Sequence, residues 1–220
     1  MNEPFSSTVL AGLIPGVTNI TLEPGRLGND EIVRWYLRAA AIDPNITLCL
    51  NDYNVLEGLD PVHRGYTTSL VQWMQARGAR IDTLGLQAHF GQVIIGIPEL
   101  NRRIDRVASL GLKLAVTEFD ADTFDEPLQA DYTRDVLTLV FSRPEFDQFL
   151  MWGFWEGAHW LPNSAMYRLN WDEKLNDSAY KNLVFNTWRT NYTGLTTVAS
   201  LRSLRAFQGE AKVTVTTPDG

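Results

Sequence analysis

The sequence predicts an α/β fold with a buried parallel sheet. Short, nearly continuous apolar runs recur along the chain, and segments with helical periodicity lie between them. Continuous apolar runs suit strands that are buried on both faces, whereas half-exposed antiparallel strands alternate apolar and polar residues. The regular alternation of strands and helices indicates right-handed parallel units.

Each predicted strand ends in polar or acidic residues. The strands cover 47–54, 83–89, 112–118 and 149–156, and a stub at Asn2-Glu3 precedes them. Polar residues at the carboxyl ends of successive parallel strands are typical of the active-site face of a (β/α)8 barrel. Because about eight strands close such a barrel, the sequence predicts part of one.

Segments with an apolar stripe are the predicted helices, at 29–41, 65–77, 97–110, 129–141 and 178–190. The first carries Ile32, Val33 and Tyr36 on one face. The third has Pro98 near its start and Gly111 just past its end, which is the usual placement of these residues.

The end of the chain has a different pattern. Alternating residues on both sides of Gln208-Gly209 predict a β-hairpin. We therefore expect an incomplete barrel over residues 1–193 and a β-rich extension over residues 194–220, which would begin another module.

Composition narrows the class of partner. Of 220 residues, 45% are hydrophobic and 20% charged, as in a soluble globular protein. A net charge of −7 disfavours nucleic acid and anionic membrane surfaces, because both select for basic patches. No apolar run is long enough to span a bilayer. A neutral polymer or a small molecule is the expected ligand, and aromatic rings, which stack on sugars as well as fill cores, are frequent.

Two glutamates stand where barrel enzymes carry their chemistry. Glu118 ends a predicted strand, and Glu3 ends the stub, so both carboxylates are expected at the barrel mouth. Carboxylates about 5–5.5 Å apart serve retaining glycosidases as nucleophile and as acid/base. Two strand-end glutamates alone are better explained as salt-bridged carboxylates.

A series of motifs in chain order favours the glycosidase explanation of the two glutamates. They are Asn2-Glu3-Pro4, Leu50-Asn51-Asp52-Tyr53-Asn54, Gly85-Leu86-Gln87-Ala88-His89, Val116-Thr117-Glu118-Phe119-Asp120, and Trp152-Gly153 with Trp160. This succession resembles glycoside hydrolase family 10, the endo-β-1,4-xylanases, from residue 2 to about residue 190. The resemblance implies the C-terminal half of the catalytic barrel, from the end of strand 4 through helix 8.

The resemblance also implies roles for individual residues. Glu3 matches the acid/base and Glu118 the nucleophile, while Asn2 matches the residue that binds the 2-hydroxyl of the sugar. His89 matches a residue that contacts the nucleophile, with Asp120 behind it to orient the imidazole. The other cleft residues implied are Gln87 as a polar group, Tyr53 on the leaving-group side, and Trp152 and Trp160 as walls of the sugar site.

The function implied is that of a retaining endo-1,4-β-xylanase, extracellular, acting on xylan or xylo-oligosaccharides without a metal or organic cofactor. A non-catalytic β-glycan-binding protein and another β-1,4-glycan hydrolase with the same glutamates remain alternatives. An unclosed barrel has open sheet edges, which favour self-association, so the isolated chain is expected to be poorly stable and nearly inactive.

The sequence also bears on where two further histidines lie. His63 has no motif around it and is expected on the surface. The position of His159, between Ala158 and Trp160, is ambiguous from the sequence, and lining of the cleft is one option.

Overall fold

The computed structural model describes residues 1–6, 27–92, 94–195, 203–207 and 209–216. Strands and helices alternate in them, as the sequence predicts. The strands are β1 (Cys49–Asp52), β2 (Thr83–Leu86), β3 (His89–Phe90), β4 (Lys113–Ala121) and β5 (Phe146–Met151). The helices are α1 (Leu27–Ile42), α2 (Pro61–Gln75), α3 (Ile97–Ala108), α4 (Glu126–Phe141) and α5 (Leu175–Lys181), and a π-helix over Asn182–Thr187 continues α5.

All pairs among the described strands are parallel. The main path runs β1-β2-β4, β5 pairs with the far side of β4, and the short β3 pairs with the carboxyl end of β4. The stub extends this sheet, because Glu3 donates its backbone N–H to the Asn51 carbonyl at 2.8 Å and Asn51 donates to the Met1 carbonyl at 2.9 Å. The stub, β1, β2, β4 and β5 therefore follow one another as neighbouring barrel strands do.

The predicted strand over 83–89 is divided in two. Ala88 has φ 66°, in the left-handed region that side chains disfavour, so the chain turns sharply between β2 and β3. The turn allows His89 to pair with Asp120 of β4. Sequence periodicity does not reveal such a break.

Among the described helices, α2 and α4 begin after residues whose side chains cap them. Asp60 accepts a hydrogen bond from the Val62 N–H at 2.8 Å, and Pro61 occupies the first turn, so α2 begins four residues before the predicted helix. Asp125 caps α4 in the same manner. The last helix also begins earlier than predicted, at Leu175.

The core lies between the sheet and its helices. Leu50, Leu84 and Leu114, on adjacent strands, are fully buried, and so are Leu70 and Ile104 on α2 and α3. In contrast, β5 has intermediate or exposed residues throughout, and it ends at Met151, whereas the prediction placed a buried strand over 149–156. The prediction was wrong there because, in the described part of the sheet, β5 pairs with β4 alone.

The predicted C-terminal hairpin is not seen among the described residues of the extension, since 203–207 and 209–216 contain no strand. The rest of that segment lies outside the described residues, and the boundary at residue 193 stays a prediction. Phe207 contacts the outer surface of the barrel portion, with its ring centroid 5.7 Å from that of Phe141. Within the described ranges, every helix is too short or too polar to cross a membrane.

Candidate active site

The candidate site is a set of polar side chains at the carboxyl ends of adjacent strands. Asn2 and Glu3 end the stub, Asn51 lies near the end of β1, Gln87 follows β2, and Glu118 lies on β4. Parallel pairing in register brings these strand ends to one edge of the sheet.

Amide side chains connect the two glutamates. Gln87 Nε2 donates to Glu3 Oε1 at 3.0 Å and lies 3.2 Å from Asn2 Oδ1. Asn51 Nδ2 lies 2.7 Å from the same Asn2 oxygen and 3.1 Å from Glu118 Oε1. The structure thus brings together Glu3, Gln87, Asn2 and Glu118, which the sequence predicts at one site.

Asn51 is the residue that the sequence-based site omitted. It appears there only within a motif, but its amide reaches both Asn2 and Glu118. Thr117 fixes the other end of the amide, donating from Oγ1 to Asn51 Oδ1 at 2.7 Å. Asn51 stands at a strand end within a motif that contains other predicted site residues, and this is the sequence signal that would have identified it.

Gly85 leaves room for the Asn51 side chain. A Cβ at Gly85 would lie 2.3 Å from Asn51 Oδ1, too close for any side chain. Gly85 on β2 is the partner of Asn51 on β1, and β2 lies between β1 and β4. Because Gly85 has no side chain, the Asn51 amide can cross β2 and reach Glu118 on β4.

His89 lies between two carboxylates, as predicted. Its Nε2 is 3.3 Å from Glu118 Oε2 and its Nδ1 is 3.0 Å from Asp120 Oδ2. Burial lowers the pKa of His89, but Asp120, with smaller contributions from Glu57 and Glu118, outweighs it and the net pKa is raised above 6.5. The ring is therefore held in place from both sides and its charged form is favoured.

Trp152 and Trp160 stand beside His89. Their ring centroids are 6.0 Å and 5.1 Å from that of the histidine. Both residues are substantially exposed, at 44% and 59%. Trp160 donates from Nε1 to Asp120 Oδ2 at 2.8 Å, so Asp120 contacts both His89 and Trp160.

His159 organises the loop between these tryptophans. The Leu161 N–H donates to its Nδ1 at 3.0 Å, and its Nε2 therefore donates to the Trp152 carbonyl, at 2.5 Å. Burial lowers the pKa of His159, which favours the neutral ring that this arrangement requires. His159 is buried, so it holds the loop that carries Trp152 and Trp160 and does not itself line the cleft.

Tyr53 lies next to the chain that follows Glu3. Its hydroxyl forms a hydrogen bond with Ser6 Oγ, and its ring meets His63 edge-on at a centroid distance of 4.5 Å. Contact of Tyr53 with a leaving group stays a prediction.

The surface expectation for His63 was wrong. The residue is 1% exposed, and its Nε2 lies 3.1 Å from Asp52 Oδ1. Its position on the inward face of α2 explains the burial, since Tyr66, Thr67 and Leu70 of the same face are also buried. Eleven positions separate His63 from Asp52, and only the packing of α2 on β1 brings them together.

The architecture matches that of solved (β/α)8 barrel structures. The crystal structure of xylanase 10B from Thermotoga petrophila in complex with xylobiose superposes with a TM-score of 0.68 at 20% identity, covering 85% of this chain and 59% of that one. The structure from Paenibacillus barcinonensis described as a GH10 gives a TM-score of 0.63 at 22% identity. These likenesses establish the fold class as part of a barrel.

Sequence comparison establishes the family. The model of glycosyl hydrolase family 10 matches residues 8–186, and the chain belongs to this family. Among curated relatives, anti-sigma-I factor RsgI6 of Acetivibrio thermocellus is 31% identical over 195 residues, and endo-1,4-beta-xylanase 1 of Arabidopsis thaliana is 28% identical over 195 residues. The two matches include 88% and 87% of this chain, respectively. They span only 25% of the length of the anti-sigma-I factor and 20% of the length of the xylanase.

Proposed function

We propose that this chain is the C-terminal half of the catalytic barrel of a retaining endo-1,4-β-xylanase. The observation that carries the proposal is the connection between the glutamates: Gln87 donates to Glu3, Asn51 donates to Glu118, and both amides contact Asn2. Two carboxylates aligned by a shared set of amides are what double displacement at a sugar requires.

In the first step Glu118 is the nucleophile. One carboxylate oxygen bonds to the anomeric carbon while the bond from that carbon to the leaving oxygen breaks, and Glu3 transfers its proton to that oxygen. Asn51 and His89 contact different oxygens of Glu118, so they orient the carboxylate for attack.

In the second step Glu3 acts as a base. It takes a proton from water, the water oxygen bonds to the anomeric carbon, and the bond to Glu118 breaks, which restores both carboxyl groups. Two inversions at one carbon retain its configuration. No other reactant is consumed.

The substrate is a xylan chain or a xylo-oligosaccharide. Asn2 binds the 2-hydroxyl of the reacting sugar, Trp152 and Trp160 supply aromatic walls, and Tyr53 contacts the leaving-group side. The xylanase names of relatives and the xylobiose complex of a structural neighbour favour this polymer over other β-1,4-glycans. Because xylan lies outside cells, we propose an extracellular location.

The test is hydrolysis by the complete gene product that contains this chain, with the 220-residue chain assayed in parallel. Reducing-sugar release from xylan, with a rapid fall in viscosity, is the expected result for an endo-enzyme. Proton NMR of the first product should show the β-anomer before mutarotation. An initial α-anomer would contradict the retaining mechanism, and faster cleavage of cellulose or mannan would reassign the polymer.

A non-catalytic glycan-binding protein is the second candidate. The observation that favours it is the match to a relative named as an anti-sigma-I factor and not as a hydrolase. Calorimetry with xylohexaose separates the two functions. Binding together with hydrolysis supports the xylanase, whereas binding without any release of sugar by the complete protein supports the second candidate.

A further inference from the structure

We propose that His63 is a positioning residue for Glu3: its ring, oriented by Asp52, holds Phe5 and through it the backbone turn that carries the acid/base. The inference rests on the proposed function, because it concerns the placement of the general acid. His63 has no described contact with either glutamate, and its stacking on Phe5 is the contact by which we infer that it acts on the segment carrying Glu3.

The backbone at Glu3 needs external support. Glu3 has φ 51°, in the left-handed region that residues with a Cβ disfavour. The stub places Glu3 by a backbone hydrogen bond to Asn51 on one side, and a turn follows in which Ser6 donates to the Glu3 carbonyl at 3.2 Å. A disfavoured conformation persists only where the surrounding structure fixes it.

Phe5 supplies the anchor of this turn. Its ring is stacked on His63 with a centroid distance of 3.8 Å and an interplanar angle of 13°. Tyr66, one turn along α2, meets the same ring edge-on at 5.4 Å. Because Phe5 is only two residues from Glu3, a displacement of its ring moves the Glu3 backbone directly.

Asp52 sets the orientation of the His63 ring. Asp52 Oδ1 lies 3.1 Å from His63 Nε2, and both side chains are almost fully inaccessible to solvent. Thr67 Oγ1 donates to the other Asp52 oxygen at 3.1 Å, and the Tyr53 N–H donates to Oδ1 at 3.0 Å. The carboxylate is thus fixed from several directions, and the imidazole has a defined plane on which Phe5 stacks.

One strand therefore supports both halves of the proposed catalytic pair. Adjacent residues of a strand point to opposite faces, so Asn51 reaches Glu118 at the barrel mouth while Asp52 reaches His63 on the helix side. From there the contacts lead through Phe5 back to Glu3.

The experiment compares leaving groups in the complete gene product. Acid catalysis matters for a poor leaving group such as a xylosyl unit, but little for dinitrophenolate, which leaves without a proton. The ratio kcat/KM reports the first chemical step, in which the acid acts. His63→Leu is expected to lower kcat/KM on xylohexaose about 10- to 100-fold and on dinitrophenyl β-xylobioside less than about threefold.

Related variants make the result specific. His63→Phe keeps a ring for Phe5 to stack on, so it should recover part of the loss, and Phe5→Ala should reproduce the selective loss of His63→Leu. Val71→Ala, a truncation of a fully buried core residue of α2, is the matched control for lost stability and should leave the ratio between the two substrates unchanged.

The outcomes are distinct. Equal losses on both substrates, or no loss in folded His63→Leu and Phe5→Ala variants, would overturn the inference. If His63→Leu does not fold, Phe5→Ala decides alone, since Phe5 is only partly buried, at the edge of the core. A wild-type protein inactive on both substrates would refute the proposed xylanase itself, which is a different result.

Discussion

Asn51 Nδ2 donates a hydrogen bond to Glu118 Oε1 across 3.1 Å, from β1 to β4. The strand between them, β2, carries Gly85 at the crossing point, where a Cβ would lie 2.3 Å from Asn51 Oδ1. The placement of the proposed nucleophile therefore depends on a residue that has no side chain.

Gly85→Ala is expected to lower activity on xylo-oligosaccharides about 10- to 100-fold. The added methyl group displaces the Asn51 amide, and a hydrogen bond to a charged group contributes about 1.5–3 kcal/mol. Steady-state kinetics measure the effect. Gly65→Ala in α2, where an added Cβ meets nothing within 4 Å, is the control and should stabilise the fold slightly without a change in activity. Wild-type kinetics for Gly85→Ala would mean that the Asn51 contact is dispensable.

Glu118→Gln is expected to abolish hydrolysis, with a loss of roughly 1,000-fold or more, because an amide does not form the glycosyl bond. Xylohexaose should still bind, since the aromatic walls are intact, and calorimetry checks this. Glu31→Gln, which removes a carboxylate paired with Arg34 on α1, is the matched control and should retain full activity. Undiminished release of sugar by Glu118→Gln would show that the nucleophile is wrongly assigned.

Glu3→Ala should affect substrates unequally. The loss on xylohexaose is expected to be about 100- to 10,000-fold, as for removal of a general acid. The first step with dinitrophenyl β-xylobioside needs no acid and should be nearly unchanged. Added azide should then accelerate turnover, because this anion attacks the glycosyl-enzyme without a base, and NMR should identify a β-glycosyl azide. An α-azide, or no response to azide, would speak against Glu3 as the acid/base.

Asp120→Asn should lower the pKa of His89. Burial lowers this pKa, and Asp120 together with Glu57 and Glu118 outweighs burial, so removal of the Asp120 charge takes away the largest of the raising effects. A histidine with a raised pKa stabilises the fold below its unfolded pKa near 6.5, and that contribution is lost as the pH rises through the folded value. In Asp120→Asn, the free energy of unfolding should therefore fall less as the pH rises through the folded pKa of His89.

NMR titration of the imidazole protons and chemical denaturation from about pH 5 to about pH 9 measure the two quantities. Asp122→Asn is the control, since this carboxylate hydrogen-bonds to Gln92 and is not among the charges that shift His89. An unchanged His89 titration in Asp120→Asn would contradict the assigned cause. His159, whose pKa is lowered, contributes with the opposite sign, so the two histidines must be followed separately.

Local signals in the sequence predicted most elements correctly. The strands at β1, β2 and β4 and the helices at α1 and α3 agree with the structure to within a few residues, since apolar periodicity and terminal Pro and Gly residues act over short distances. The starts of α2 and α4 were missed, although Asp60 and Asp125 with the prolines after them are local capping signals. The prediction of a buried strand over 149–156 failed for β5, because the burial of a strand at the edge of the described sheet depends on which strands lie beside it.

The candidate site, like the fold, could be predicted from the sequence only in part. The sequence alone determined which carboxylates, amides and aromatic residues stand at strand ends, because parallel strands of one barrel bring their carboxyl ends to one face. Tertiary structure alone decided that Asn51 joins Asn2 to Glu118 and that His63 is buried against Asp52. Those contacts depend on strand register and on the packing of a helix against the sheet, and neither is encoded by residues close together in the chain.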